Sequence, residues 1–151
     1  MKAISYILLM SLMTIVTACT QNDGHIGKFF GSWVLTEMTV GNTATDFPQG
    51  QYTTMSFQND VVKFILHQPD GSYEERFGTW TESDGMLKLD FTHSDDRYDA
   101  GTAIYRAPEW LDFPAKTITD LLIADMTDGK LTLVLDRTDG EEIVYKFERT
   151  W

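Results

Sequence analysis

Beyond residue 31 the chain alternates apolar and polar positions along most of its length. Leu87, Leu89 and Phe91 alternate with Lys88, Asp90 and Thr92, and Leu131, Leu133 and Leu135 alternate with Lys130, Thr132 and mostly polar neighbours. Ile143, Tyr145 and Phe147 sit among Glu142, Val144, Lys146 and Glu148, while Val62, Phe64 and Leu66 form one face of another run. A period of two sends successive side chains to opposite faces of a strand, so these runs predict sheet with one buried and one wet face. Between the runs stand Asp70-Gly71, Asp84-Gly85, Asp128-Gly129 and Asp139-Gly140. Asp-Gly suits the positive φ angles of tight hairpin turns. Asn59-Asp60 reads as a similar turn.

Pattern and turns together predict strands near 32–40, 51–58, 61–68, 72–82, 86–92, 116–127, 130–137 and 141–149. No later segment carries the period of a long amphipathic helix, and His25 to Phe30 reads as one short helical turn. Two longer connections remain, 41–50 and 93–115. Sequential antiparallel strands must hide two sheet edges, and closure into an up-and-down barrel removes both. A two-sheet β-sandwich is the alternative, but it usually needs Greek-key crossings that hairpin-length connections do not supply. The expected architecture over 26–151 is therefore all-β: an antiparallel, up-and-down, eight-stranded barrel.

The first residues follow a different pattern. Lys2 is followed by an uncharged apolar or small stretch from Ala3 to Val16, and then by Val16-Thr17-Ala18-Cys19. Positive start, apolar stretch and small residues before a cut are the order of a secretion signal. The stretch is short for a spanning helix, which needs about 20 apolar residues. The tetrapeptide resembles the bacterial lipobox. That resemblance implies a signal peptide over 1–18, cleavage before Cys19, and a thioether-linked lipid with palmitate on Cys19. Residues 19–25 are then a polar tether, and the membrane is the first expected partner. Position 20 is Thr rather than Asp, which by analogy with the enterobacterial sorting rule points to the outer membrane. Cys19 is the only cysteine, so no disulfide can form within one chain.

Composition adds limits. Apolar content of 42% and aromatic content of 13% belong to a folded globule, and 151 residues to one domain. From Cys19 onward the chain carries 11 basic and 23 acidic side chains, a net charge of −12. Such a surface repels nucleic-acid phosphates and anionic headgroups and keeps a monomer soluble. Nothing suggests an enzyme. No Gly-x-Ser-x-Gly elbow or Gly-rich phosphate loop occurs. Glu74-Glu75 and Glu141-Glu142 are adjacent in strands, so each pair splits between faces. His25, His67 and His93 share no metal-ligand spacing. Asp95, Asp96 and Asp99 lack the Asp-x-Asp-x-Asp-Gly order of a calcium loop and read as a solvated acidic loop. No cofactor or metal is expected.

The folded part opens with Ile26-Gly27-Lys28-Phe29-Phe30-Gly31-Ser32-Trp33. Gly31-Ser32-Trp33 resembles the Gly-x-Trp signature of lipocalins, although the Thr-Asp-Tyr signature of other lipocalins does not occur. The resemblance implies that Trp33 plugs the closed end of the barrel and that Arg149 from the last strand covers it, with a cation–π contact as the physical basis. Together with the lipobox, most of 26–151 is similar to the lipocalin-like lipoproteins of Bacteroides-type bacteria. The function so implied is binding of a small hydrophobic ligand in or near the barrel mouth. The alternative is a non-catalytic interaction or structural subunit of a cell-envelope complex. An eight-stranded barrel is either filled by side chains or holds one small ligand. An enclosed apolar cavity of roughly several hundred cubic ångströms would support the first function, and an interior filled by Trp33, Phe57, Phe64, Trp80, Phe91 and Phe147 would sink it. The connection 93–115 is long enough to be functional. It holds Tyr98 and Tyr105, and then Trp110, Leu111 and Phe113 between Pro108 and Pro114. Trp80, Tyr105, Trp110 and Phe113 are the candidate ligand contacts, with structural packing as their other reading.

Overall fold

The computed structural model describes residues 24–92, 105–115 and 117–150. The leader, Cys19, His93, Asp95, Asp96, Tyr98, Asp99 and the side chain of His25 lie outside the described residues. A kinked 3-10 helix, Gly24–Phe29, precedes nine strands. They are β1 Ser32–Val40, β2 Thr43–Ala44, β3 Tyr52–Gln58, β4 Val61–His67, β5 Tyr73–Ser83, β6 Met86–Asp90, β7 Ile118–Met126, β8 Lys130–Asp136 and β9 Glu142–Arg149. A second 3-10 helix, Glu109–Leu111, lies in the connection from β6 to β7.

All strands but β2 pair in sequence order, and β9 pairs back onto β1 from Trp33↔Arg149 to Val40↔Ile143. The ring is thus a closed, antiparallel, eight-stranded barrel, and the sandwich alternative falls away. Its strands begin and end within two residues of the positions that alternation predicts. β2 is the addition. It is a two-residue stub on the end of β1, pairing Thr39↔Ala44 and Val40↔Thr43, too short for alternation to reveal.

The inward faces are the predicted apolar ones: Val62, Phe64 and Leu66; Leu87 and Leu89; Leu131, Leu133 and Leu135; Ile143, Tyr145 and Phe147. On β1 the phase slips. Trp33, Leu35 and Met38 are buried while Thr36 and Glu37 are both exposed. A bulge between Leu35 and Glu37 causes this, because one extra residue moves the next side chain to the other face.

The turns depart from the simplest expectation. Only Asp84-Gly85 has positive φ at both residues, 53° and 77°, as a two-residue primed turn requires. At Asp70-Gly71 and Asp139-Gly140 only the glycine is positive. There Gln68 N–H donates to Ser72 O and Gly71 N–H to Gln68 O, and Arg137 and Gly140 repeat the arrangement with Glu141. These are three-residue loops whose last residue is left-handed glycine. At Asp128-Gly129 neither residue has positive φ, and the hairpin closes through Thr127 N–H to Lys130 O at 2.8 Å.

Candidate functional site at the barrel mouth

The two ends of the barrel are closed differently. At the end where β1 begins, Gly31 takes φ 118°, open to glycine because it has no Cβ, and turns the chain from the first helix into the barrel. Trp33 is fully buried, and its indole Nε1–H donates to Phe29 O at 3.0 Å. The Arg149 guanidinium lies 4.5 Å from the centre of the Trp33 ring and donates to Lys28 O. Phe29, Phe57 and Trp80 pack with ring centres 4.9–5.3 Å apart. This end is sealed by side chains of the helix and strands themselves.

The opposite end, the mouth, is closed by residues Glu109 to Phe113, which lie between β6 and β7 in the chain. Leu111 and Phe113 enter the barrel and are buried. The Phe113 ring meets Phe64 at 5.8 Å, Phe91 at 6.1 Å and Tyr145 at 5.4 Å. The Tyr145 hydroxyl donates to Leu111 O at 2.6 Å. Burial pushes the Tyr145 phenol well above its ordinary range, and Asp112 adds to the shift, so the hydroxyl remains a donor. Asp112 then takes a left-handed conformation, φ 60°, and pairs with Arg137 at 3.1 Å. An open depression of about 370 Å³ runs beside this wedge, between Asp112–Pro114 and Leu135–Thr138.

Next to the wedge lies a buried charge. Arg76 shares the inward face of β5 with Gly78 and Trp80, and its side chain is only 10% exposed. Nε donates to Glu109 Oε2 at 3.3 Å, Nη1 to Glu75 O at 2.9 Å and Nη2 to Glu74 Oε2 at 2.9 Å. The Trp110 ring covers the guanidinium at 5.3 Å. Glu109 also meets Arg106, 3.3 Å from its other oxygen. Desolvation would raise the Glu109 carboxyl, but its own backbone N–H and the charges of Arg76 and Arg106 outweigh it and hold the carboxyl below the usual range. Two buried polar atoms at this end, Trp110 Nε1 and Thr119 Oγ1, have no partner among the described residues.

The four candidate ligand contacts fall in three places. Trp110 and Phe113 are at the mouth. Trp80 is at the sealed end, where its Nε1–H donates to Asn59 O. Tyr105 lies against Phe77, 5.8 Å between rings, and Phe77 pairs with Lys63 on the outer face of β5 and β4. The structure therefore does not bring these four together: a residue two positions past Gly78 is a full pleat farther from the mouth, and Tyr105 stays outside the ring. His67 stacks on Tyr52 at 4.2 Å, and its Nε2 is 3.2 Å from Thr54 Oγ1. Sequence reading missed Arg76, although the period of two that makes Trp80 inward also makes Arg76 inward. The interior itself is filled: Trp33, Phe57, Phe64, Trp80, Phe91 and Phe147 are all buried. Open depressions of similar size lie outside it, about 360 Å³ between Lys28, Phe29, Trp80 and Glu82 at the sealed end and about 370 Å³ beside the wedge at the mouth.

No protein-family model matches the sequence, and no curated protein matches it. Solved structures do. A lipocalin-like protein from Bacteroides uniformis is 16% identical with a TM-score of 0.57, covering 82% of this chain and 99% of that one. An uncharacterized protein from Bacteroides eggerthii is 18% identical with a TM-score of 0.53, covering 80% and 98%. With the closed eight-stranded ring, these likenesses establish that the chain has the lipocalin-like fold.

Proposed function

We propose that the protein binds a small apolar ligand at the barrel mouth, in the space that Leu111 and Phe113 now occupy. One observation carries this reading. Phe64, Phe91 and Tyr145 form an aromatic receptor for a ring that comes from a connecting segment rather than from a barrel strand. Apolar lining with a few placed polar groups is the usual make-up of a small-molecule site. The role is non-catalytic, and the protein works at a membrane, held by lipid on Cys19 at the outer membrane. The lipobox resemblance supports that anchor, and replacing Cys19 with Ala is expected to abolish lipid labelling; labelling that persists refutes it.

The filled interior favours a second reading, a solid barrel whose loops dock another envelope protein. Native mass spectrometry separates the two. A small molecule carried through purification, lost on replacing Phe91 with Asp but retained on replacing exposed Tyr73, supports the mouth. A protein that carries nothing and takes up no apolar compound supports the solid barrel.

A further inference from the structure

The contacts of the wedge point to the chemistry of the ligand. Glu109, Trp110, Leu111 and Phe113 present to the barrel a carboxylate followed by apolar side chains. The carboxylate sits on Arg76, and Leu111 and Phe113 fill the aromatic receptor behind it. The geometry points to an amphipathic carboxylate as the ligand, an acid with an apolar tail, whose head takes the place of Glu109 on Arg76 and whose tail takes the place of Leu111 and Phe113. This rests on the reading of the mouth as a ligand site.

The physical case has three parts. First, Arg76 faces inward on β5 and is the one charged side chain that is buried among the described residues, the other buried polar residues being Thr53 and Thr119. A charge so placed is costly unless it is paired and hydrogen-bonded. Its partners are uneven: Glu75 O is backbone of the same strand, Glu74 lies two residues away, and only Glu109 arrives on a separate segment. That one bond is also the longest of the three, at 3.3 Å, and its carboxylate is divided with Arg106. A free carboxylate can meet the planar guanidinium with better geometry than a side chain tethered to a helix turn.

Second, exchange keeps the charge balance. One carboxylate leaves Arg76 and another arrives, while Glu74 remains. A neutral ligand would strip Glu109 from Arg76 without replacing it.

Third, the wedge is an imperfect occupant. It buries Trp110 Nε1 without a partner among the described residues, and Thr119 Oγ1 is orphaned in the same end of the barrel. An unmet buried donor is a penalty that release of the wedge removes.

The test compares dodecanoate with dodecan-1-ol, which share a tail and differ in the head. Both are titrated into the intact protein in detergent-free buffer by calorimetry, with Trp fluorescence reporting release of Trp110. Dodecanoate is expected to bind about tenfold or more tighter than the alcohol, the range of a charged hydrogen-bond pair. Arg76→Gln is expected to bring the two within about threefold, with Arg76→Lys between. Equal binding of acid and alcohol by the unaltered protein overturns the carboxylate inference and leaves the mouth site standing. Binding of neither overturns the mouth site as well. A preference for the acid that survives Arg76→Gln overturns the role of Arg76. Should Arg76→Gln fail to fold, dodecanoate labelled with carbon-13 at its carboxyl decides the matter on the unaltered protein. The bound head must titrate at lower pH than free dodecanoate under the same conditions, and titration at the same or higher pH refutes the pairing.

Discussion

Replacing Phe113 with Ala tests how firmly the wedge is held. Burial of Leu111 and Phe113 contributes about 1.5–3 kcal/mol each, and the bond from Tyr145 to Leu111 O about 1 kcal/mol. The exposed pairs Arg106–Glu109 and Arg137–Asp112 add about 0–1 kcal/mol each, the hydrogen bond from buried Arg76 to Glu109 about 1.5–3 kcal/mol, and Trp110 over Arg76 about 1 kcal/mol. Against this, ordering the backbone from Glu109 to Phe113 costs about 1–2 kcal/mol per residue, and the orphaned Trp110 donor about 1–3 kcal/mol. At the middle of these ranges the two sides nearly cancel, so docking of the wedge is marginal, within about 2 kcal/mol of zero. A Phe→Ala change in a well-packed site removes about 3–5 kcal/mol, which exceeds that. The altered wedge then leaves the mouth, and the loss of global stability stops at the docking energy, about 2 kcal/mol or less. Phe64 touches the same ring but belongs to β4. It has nowhere to go, so Phe64→Ala is expected to lose the full amount. Urea unfolding of the two variants, followed by circular dichroism and by Trp fluorescence, measures both. Equal losses would mean that the wedge is integral core, and the reasoning that makes the mouth a ligand site would fail.

Three further expectations follow from individual contacts. Gly78→Ala places a Cβ 2.7 Å from Phe91 Cε1 and 3.0 Å from Asp90 O, and such overpacking costs about 1–3 kcal/mol; an unchanged thermal midpoint would contradict the packing described. Arg149→Leu removes the cation over Trp33 and is expected to lose about 0.5–2 kcal/mol, read as a lower urea midpoint, with no loss arguing that Trp33 closes the barrel unaided. Glu109 has a lowered carboxyl, so its pairing with Arg76 and Arg106 contributes fully above the usual glutamate range and is lost as pH falls through the lowered value. Acidification is therefore expected to release Trp110, seen as a fluorescence change before the barrel unfolds, and an identical change in Glu109→Gln would assign it to another group.

How much of this was legible in the sequence depends on the range of the interaction. Alternation is a relation between residues two apart, so the strands and their inward faces could be read directly, Val62, Phe64 and Leu66 on β4 for example. The bulge at Thr36 and the stub β2 escaped, since each depends on the pairing of β1 with another strand. Arg76 was legible in phase but not in meaning, because a charged residue inside a barrel makes sense only beside its partner.

The sequence by itself determined eight antiparallel strands, their apolar faces, and the place of Trp33 in the first and Arg149 in the last. These follow from local periodicity and turn-forming residues. Closure into a ring rather than a sandwich was decided by the pairing of β9 with β1. Only the tertiary structure decided which aromatic residues share an end, that Leu111 and Phe113 stop the mouth, and that Glu109 reaches Arg76. Those contacts join residues 33 and 34 positions apart. No local pattern encodes such a distance. It is set when β9 closes onto β1 and residues Glu109 to Phe113 fold back over the opening that closure leaves.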